Sequence, residues 1–207
     1  MTEATPTKLV CVGRNYAKHA VELGGVVPDE PLIFFKPPSS IVRTGEPIVI
    51  PDGVGRVDFE GEIAVVIGET ARNVEAKNAW NVVQGIAPLN DVTARDLQRI
   101  DDQWGRAKGF DTFCPVGEMV HIAEIDLSNL TVLTRVNGEV RQQGNVQDLV
   151  FSIPTLIEYI SGIMTLQVGD LIATGTPEGV GPLYAGDTVE VEVGGVGTLS
   201  NPVVGEN

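Results

Sequence analysis

The chain has 207 residues, 43% of them hydrophobic, with 28 acidic against 14 basic side chains and a formal charge of −14. That is about the size of one large domain or two small ones, with no linker-like stretch in it. The acidity excludes a general nucleic-acid or membrane-surface partner, since either needs a basic footprint, and no apolar run reaches the ~18 residues of a membrane span. The 24 glycines and 13 prolines, spread among many short apolar runs, predict frequent turns and a mostly β fold with a few helices. Cys11 and Cys114 are isolated and lack metal-type spacing, so they read as buried free thiols rather than a disulfide framework. Residues 1–6 have no basic-then-apolar leader pattern, which makes the cytoplasm the expected location.

In chain order, residues 8–13 predict a short strand and residues 14–23 a short helix, with Asn15 able to cap its start and Gly24-Gly25 its end. His19 and Glu22 are three apart and share a helical face. They form either a weak surface ion pair or a working pair on a lid, because flanking glycines suit a mobile element. Leu32 to Lys36, set between prolines, predicts a short buried strand in which Lys36 can face either way, and residues 41–50 predict another with a turn at Gly45.

Residues 57–67 form the pivotal strand. Alternation sends Phe59, Gly61, Ile63, Val65 and Ile67 to one face and Asp58, Glu60 and Glu62, followed by Ala64 and Val66, to the other. Carboxylates about 6–7 Å apart on one face repel unless a cation or paired bases sit among them, and hard cations take such oxygen ligands. A solvated edge that blunts sheet-to-sheet association is the competing reading. Gly61 between the two glutamates permits a close backbone approach.

Residues 82–91 predict a second strand ending in Asp91, and Thr93 opens a helix. Thr93-x-x-Asp96 offers its own capping-box-like start. Asp91, otherwise an ordinary N-cap, is thereby free to serve as a third ligand. Residues 104–117 read as an aromatic, glycine-bounded loop holding Arg106 and Lys108, the latter either a surface lysine or a charge-balancing neighbour of an acidic site. A strand over residues 130–136 leads to a hairpin turn at Asn137-Gly138, and residues 152–160 predict a helix with Pro154 in its first turn. The strand that begins near Gly169 runs into a glycine-rich turn. There Gly175-Thr176-Pro177 lacks the lysine and spacing of a phosphate loop, although its amides and the Thr176 hydroxyl suit a carboxylate as well as a plain tight turn. Residues 186–193 and 197–204 supply the last strands.

With these residues in place the chain resembles the fumarylacetoacetate hydrolase family, above all its small single-domain members: acylpyruvate hydrolases, oxaloacetate decarboxylases, and the isomerases and decarboxylases of homoprotocatechuate breakdown. The likeness runs from about Lys8 to Val204. It is carried by Gly13-Arg14-Asn15-Tyr16-x-x-His19, Phe59-Glu60-x-Glu62, Asn90-Asp91-x-Thr93-Ala94-Arg95-Asp96-x-Gln98, Lys108-x-Phe110-Asp111-x-Phe113-x-Pro115 and Thr174-Gly175-Thr176-Pro177-x-Gly179-Val180-Gly181. The resemblance implies a mixed β-sandwich or β-roll, one catalytic domain over residues 1–207, and a homodimer. It implies Mg²⁺ or Mn²⁺ on Glu60, Glu62 and Asp91, with the 1-carboxylate and 2-oxo group of a substrate completing the shell. His19 and Glu22 match the acid/base dyad of the lid helix. Lys108 and Gln98 match metal-side substrate contacts, and Thr176 the carboxylate contact, with Gly175 and Arg14 in the same substrate-binding set.

One departure is informative: the family member that hydrolyses fumarylacetoacetate itself carries a further metal-binding aspartate where this chain has Val12, so that substrate is set aside. The implied activity is metal-dependent cleavage of a C–C bond in a small 2-oxo dicarboxylate or acylpyruvate, by hydrolysis or decarboxylation. Isomerisation or decarboxylation of a dienoate dicarboxylate in aromatic catabolism is the rival, and a non-catalytic metal-binding β-domain the alternative of a different class.

Overall fold

A run that stays apolar on both faces after its first residues belongs inside a sheet, and Gly61–Ile67 is such a strand. In the computed structural model, which describes residues 6–22, 24 and 26–206, it lies antiparallel between Val83–Asn90 and Leu171–Ala173. The six-stranded sheet runs Val120–His121, Val83–Asn90, Gly61–Ile67, Leu171–Ala173, Leu9–Gly13, Leu32–Lys36, with Leu9–Gly13 parallel to Leu171–Ala173. A five-stranded sheet runs Glu139–Asn145, Thr131–Val136, Thr188–Val193, Gly197–Gly205, Ile48–Ile50. Ile63, Val65 and Ile67 of the first sheet share one core with Val132, Val191, Val193 and Leu199 of the second. The helix Ile153–Ile163 adds Ile153, Leu156, Ile157 and Ile160, the stripe that a 3.6-residue period puts on one face. The fold is thus a mostly β mixed sandwich with short helices, as expected. Ala64, Ala87 and Leu89, on the other face of the first sheet, pack with both cysteines. These are free and buried, and burial pushes the Cys114 thiol up to about 12. No described helix is long and apolar enough to cross a membrane.

The structure departs from the sequence-based expectation at several elements. Residues 57–67 are not one strand: Val57–Phe59 joins a three-stranded sheet with Gly181–Pro182 and Thr93–Ala94, and the chain changes sheet at Glu60. A Cβ on Gly61 would lie 1.9 Å from Thr134 Oγ1, so only glycine lets the second sheet approach this switch. Side chains there satisfy main-chain groups: Asn90 Oδ1 accepts from Glu60 N at 2.9 Å and Gln142 Oε1 from Gly61 N at 3.0 Å. Residues 41–50 split into Ile41–Val42 and Ile48–Ile50, which belong to different sheets. The loop over residues 104–117 contains a helical turn, Gly105–Lys108.

The first helix is shorter than expected, Ala17–Glu22, and Leu23 and Gly25 lie outside the described residues. Asn15 does not cap it. Its amide donates to Thr174 O (2.8 Å) and Phe151 O (3.1 Å) and accepts from Phe151 N (2.8 Å), tying the entry of the helix to two distant loops. The hairpin at Asn137-Gly138 forms as expected, with φ of 52° and 81°, the positive pair a type I′ turn requires.

The contact at Gly61 generates a stability prediction. Gly61→Ala should lower the unfolding free energy by about 1–3 kcal/mol, the usual cost of overpacking. Adding Thr134→Ala should recover part of that loss, because the blocking hydroxyl has no hydrogen-bond partner and its removal sacrifices none. Denaturant titration of both single variants and the double variant measures the coupling; simple additivity would show that the methyl group is accommodated some other way.

Candidate metal centre

Three carboxylates meet where adjacent strands end. Glu60 sits at the sheet switch, Glu62 one residue into the central strand, and Asp91 directly after Val83–Asn90, whose last residue pairs with Gly61. The Asp91 N–H donates to Glu60 O at 2.8 Å, which draws the two strand ends together. One oxygen from each carboxylate lies within 4.8 Å of the others, and all three side chains are buried. The capping box expected after Asp91 does not form. The helix Arg95–Ile100 starts without a side-chain cap; Thr93 Oγ1 donates to Asp91 O at 2.8 Å, and Asp96 Oδ2 accepts from Arg56 N at 3.1 Å. Asp91 is free for another reason. Thr93–Ala94 first pairs with Val57–Phe59, which carries the helix start away from it.

The negative charges are answered unequally. Asp91 is held between two ammonium groups, Lys36 at 2.6 Å from Oδ1 and Lys108 at 2.6 Å from Oδ2. Glu60 meets Lys108 at 2.8 Å and Arg95 at 2.6 Å. Asp58, which local alternation would set beside the two glutamates, instead binds Arg95 at 2.9 Å and Arg56 at 2.6 Å, because the break at Glu60 interrupts the alternation. Glu62 has no ionic partner among the described residues, only the Gly175 N–H at 2.7 Å. Burial works against the ionised Glu60, but Lys108 and Arg95 hold its carboxyl well below the usual range. Burial, with Asp91 and Glu60 alongside, pushes Glu62 well above it. Lys36 and Arg95 are functional neighbours that the sequence reading did not single out. A lysine closing the apolar run Leu32-Ile33-Phe34-Phe35 was the available signal for the first, and the need to neutralise buried acids for the second.

The cluster opens into a pocket of about 350 Å³, ample for a small acid. His19 and Glu22 line it, with His19 Nδ1 3.2 Å from Glu22 Oε2. His19 is buried, and Glu22 also accepts from the Gly179 N–H at 3.0 Å, which ties the short helix to the loop after Leu171–Ala173. Arg14, Gln98, Lys108 and Thr176 complete the sequence-derived residues that reach the pocket. Arg14 takes a left-handed φ of 59°, uncommon outside glycine, and its guanidinium has no partner among the described residues. Gln98 accepts from Arg95 at 2.6 Å. The Thr176 hydroxyl donates to Gly61 O at 2.9 Å and accepts from Gln142 at 2.7 Å, and the Gly175 N–H is spent on Glu62. Both groups therefore serve the architecture of the site as it stands. Val12 is a core residue that also touches the pocket.

This donor set fits a divalent cation. It is all carboxylate oxygen, the preference of Mg²⁺ and Mn²⁺, it has already converged, and Glu62 lacks the positive charge that its neighbours have. A mixed β-sandwich with a buried three-carboxylate cluster open to a small-molecule pocket defines a metal-site scaffold. The family model for the fumarylacetoacetate (FAA) hydrolase C-terminal region matches residues 8–204, and the chain belongs to that family. It is 47% identical over 195 residues to a mitochondrial oxaloacetate tautomerase of Arabidopsis thaliana, covering 92% of this chain and 87% of that one. It superposes with a TM-score of 0.91 on a 5-carboxymethyl-2-hydroxymuconate delta-isomerase of Mycobacterium smegmatis, at 48% identity over 98% of this chain and 80% of the other. A fumarylpyruvate hydrolase of Pseudomonas aeruginosa in complex with Mn²⁺ and pyruvate also gives 0.91, at 32% identity over 96% and 90%.

The unequal charge balance separates two isosteric variants. Glu62→Gln should leave the metal-free protein at least as stable as wild type, since burial and the neighbouring acids already disfavour the ionised Glu62 and the amide keeps an acceptor for Gly175. It should weaken Mn²⁺ binding by more than the about 10–100-fold typical of an outer-shell partner. Glu60→Gln should also lose the metal but cost about 1.5–3 kcal/mol of metal-free stability, because Lys108 and Arg95 lose a charged acceptor. Calorimetric Mn²⁺ titration and denaturant unfolding of both variants check this; equal effects on stability would contradict the asymmetry.

Proposed function

We propose that the protein is a Mg²⁺- or Mn²⁺-dependent enzyme that cleaves a C–C bond in a small 2-oxo acid, either an acylpyruvate by hydrolysis or an oxaloacetate-type acid by decarboxylation. The observation that carries the reading is Glu62, a buried carboxylate without a cationic partner among the described residues, converging with Glu60 and Asp91 in the pocket that His19 and Glu22 also line. Glu60, Glu62 and Asp91 would hold the cation. When bound, it supplies Lewis acidity and an electron sink for the enolate formed as the bond to C3 breaks.

The chain's own groups do the rest. Lys108, fixed by Glu60 and Asp91 and 5.0 Å from the Phe34 ring centre, presents a buried positive charge to the 2-oxo acid, and Gln98 lies beside it through Arg95. Arg14 and Thr176 border the space for the remainder of the substrate, and Gly175, which does not line it, holds Glu62. In hydrolysis His19, steadied by Glu22, takes a proton from water, and the hydroxide adds to the distal carbonyl. The C–C bond then breaks towards C3, and protonation there gives a pyruvate-type product and a carboxylic acid. In decarboxylation the bonding pair left by departing CO₂ moves to C3 with no water attack, so His19 has less to do. Arg14, which has no partner among the described residues, and Arg99, which pairs with Asp96, both line the pocket and favour a second reading, isomerisation of a dienoate dicarboxylate, in which His19 would move a proton between carbons.

A panel of acylpyruvates, oxaloacetate and dienoate dicarboxylates with Mg²⁺ or Mn²⁺ decides among these reactions; no turnover of any of them would reject the reading. His19→Ala should slow acylpyruvate hydrolysis by about 10²–10⁴-fold, the worth of a positioned acid/base group, and decarboxylation much less. An equal collapse of both would remove the separate role of His19. Oxalate, a planar mimic of the pyruvate enolate, should bind only with metal present. Equal calorimetric affinity with and without Mg²⁺ would mean that the acidic triad takes no part in holding it.

A further inference from the structure

We propose that Gln142 is a positioning residue of the metal centre: it sets Glu62 by bridging the two chain segments between which that ligand is held, an inference that rests on the metal reading above. Gln142 belongs to Glu139–Asn145, the edge strand of the second sheet. Thr134 pairs with Gln142 while Arg135 pairs with Val140, so the strand is bulged at Arg141, and a bulge re-aims the side chains beside it. Gln142 is 1% exposed, and its amide is fully used. Oε1 accepts from Gly61 N at 3.0 Å, while Nε2 donates to Thr176 Oγ1 at 2.7 Å and to Pro177 O at 2.8 Å. Its orientation is not arbitrary: the Gly61 N–H can only donate and the Pro177 carbonyl can only accept.

The ring closes when Thr176 Oγ1 donates to Gly61 O at 2.9 Å. Gly61 lies between Glu60 and Glu62, and Thr176 follows Gly175, whose N–H makes the one hydrogen bond to Glu62 Oε2 among the described residues. With no ion pair to orient it, Glu62 depends on the distance between these two backbones, and Gln142 spans that distance. The Thr176 proton is committed to Gly61 O, so its hydroxyl cannot also donate to a substrate carboxylate while the ring is intact.

The test is Mn²⁺ calorimetry and Mn²⁺ electron paramagnetic resonance without substrate on wild type, Gln142→Met, Thr176→Val and Thr134→Ala, with thermal unfolding of each metal-free protein. Gln142→Met preserves length and removes all three bonds that Gln142 makes, leaving only Thr176 Oγ1 on Gly61 O, and Mn²⁺ affinity should fall about 10–100-fold with an altered line shape. Thr134→Ala removes an unpartnered hydroxyl at the same contact and should bind as wild type. Thr176→Val opens the ring from its other side and should also weaken binding, and a Gln142→Met/Thr176→Val double variant should lose less than the sum of the two, as expected of residues in one network. A folded Gln142→Met with wild-type affinity and spectrum overturns the proposal, as does an equal loss in Thr134→Ala. If Gln142→Met does not fold, wild-type binding by Thr176→Val overturns it. A wild-type protein that binds neither Mn²⁺ nor Mg²⁺ removes the metal reading itself, and the role of Gln142 with it.

Discussion

Three carboxylates crowded inside a protein repel one another and lose their hydration, and most of this structure can be understood as the response to that constraint. Lys36 and Lys108 neutralise Asp91, and Arg95 and Lys108 neutralise Glu60. Each of these cations is itself buried, which is tolerable because each has an acid to answer. Compensation stops at Glu62. A site that neutralised all three acids would have no need of a metal ion, and one that neutralised none would struggle to fold without it. The intermediate arrangement lets the metal-free chain fold while keeping one strong reason to bind a cation.

The two sheets divide the work. The six-stranded sheet and the residue that follows Val83–Asn90 supply the acids, and Leu32–Lys36 at its far edge reaches back with Lys36. The second sheet approaches at Gly61, where a missing side chain admits Thr134, and contributes Gln142. The loop after Leu171–Ala173 connects these parts: Thr174 O accepts from Asn15 just before the first helix, Gly175 N–H donates to Glu62, Thr176 and Pro177 accept from Gln142, and Gly179 N–H donates to Glu22. The acidic cluster, the first helix and Gln142 are therefore all referenced to one short stretch of chain.

Much of this was legible in the sequence where the signal is local. Period-two alternation located the strand that becomes Gly61–Ile67, the run over residues 82–91 the one that becomes Val83–Asn90, a first-turn proline the helix Ile153–Ile163, and Asn137-Gly138 marked its hairpin. Glu60, Glu62 and Asp91 were recoverable as a cluster because two of them share a strand face and the third ends the next long strand. What was not legible depends on distant partners. Lys36 meets Asp91 across 55 positions, Arg95 meets Glu60 across 35, and Gln142 meets Gly61 across 81; no local period reports such pairs. The break at Glu60 was hidden for the same reason, since it is imposed by the approach of Thr134 and Gln142. Asn15 and Thr93 were misread as caps because a short polar side chain at a helix start is normally used that way, whereas here distant backbone groups claim Asn15 and Thr93 sits in a strand with its hydroxyl turned back to Asp91 O.

The central claim is that Glu60, Glu62 and Asp91 jointly hold one divalent cation at the base of the His19–Glu22 pocket. Anomalous diffraction from crystals soaked in Mn²⁺ tests it most directly. The account predicts a single strong peak bonded to an oxygen of each of the three carboxylates, at about 2.0–2.2 Å, with Lys36 and Lys108 still on the outer oxygens of Asp91 and Glu60. A peak elsewhere on the chain, or no peak with Lys108 remaining as the sole charge between Glu60 and Asp91, would contradict it.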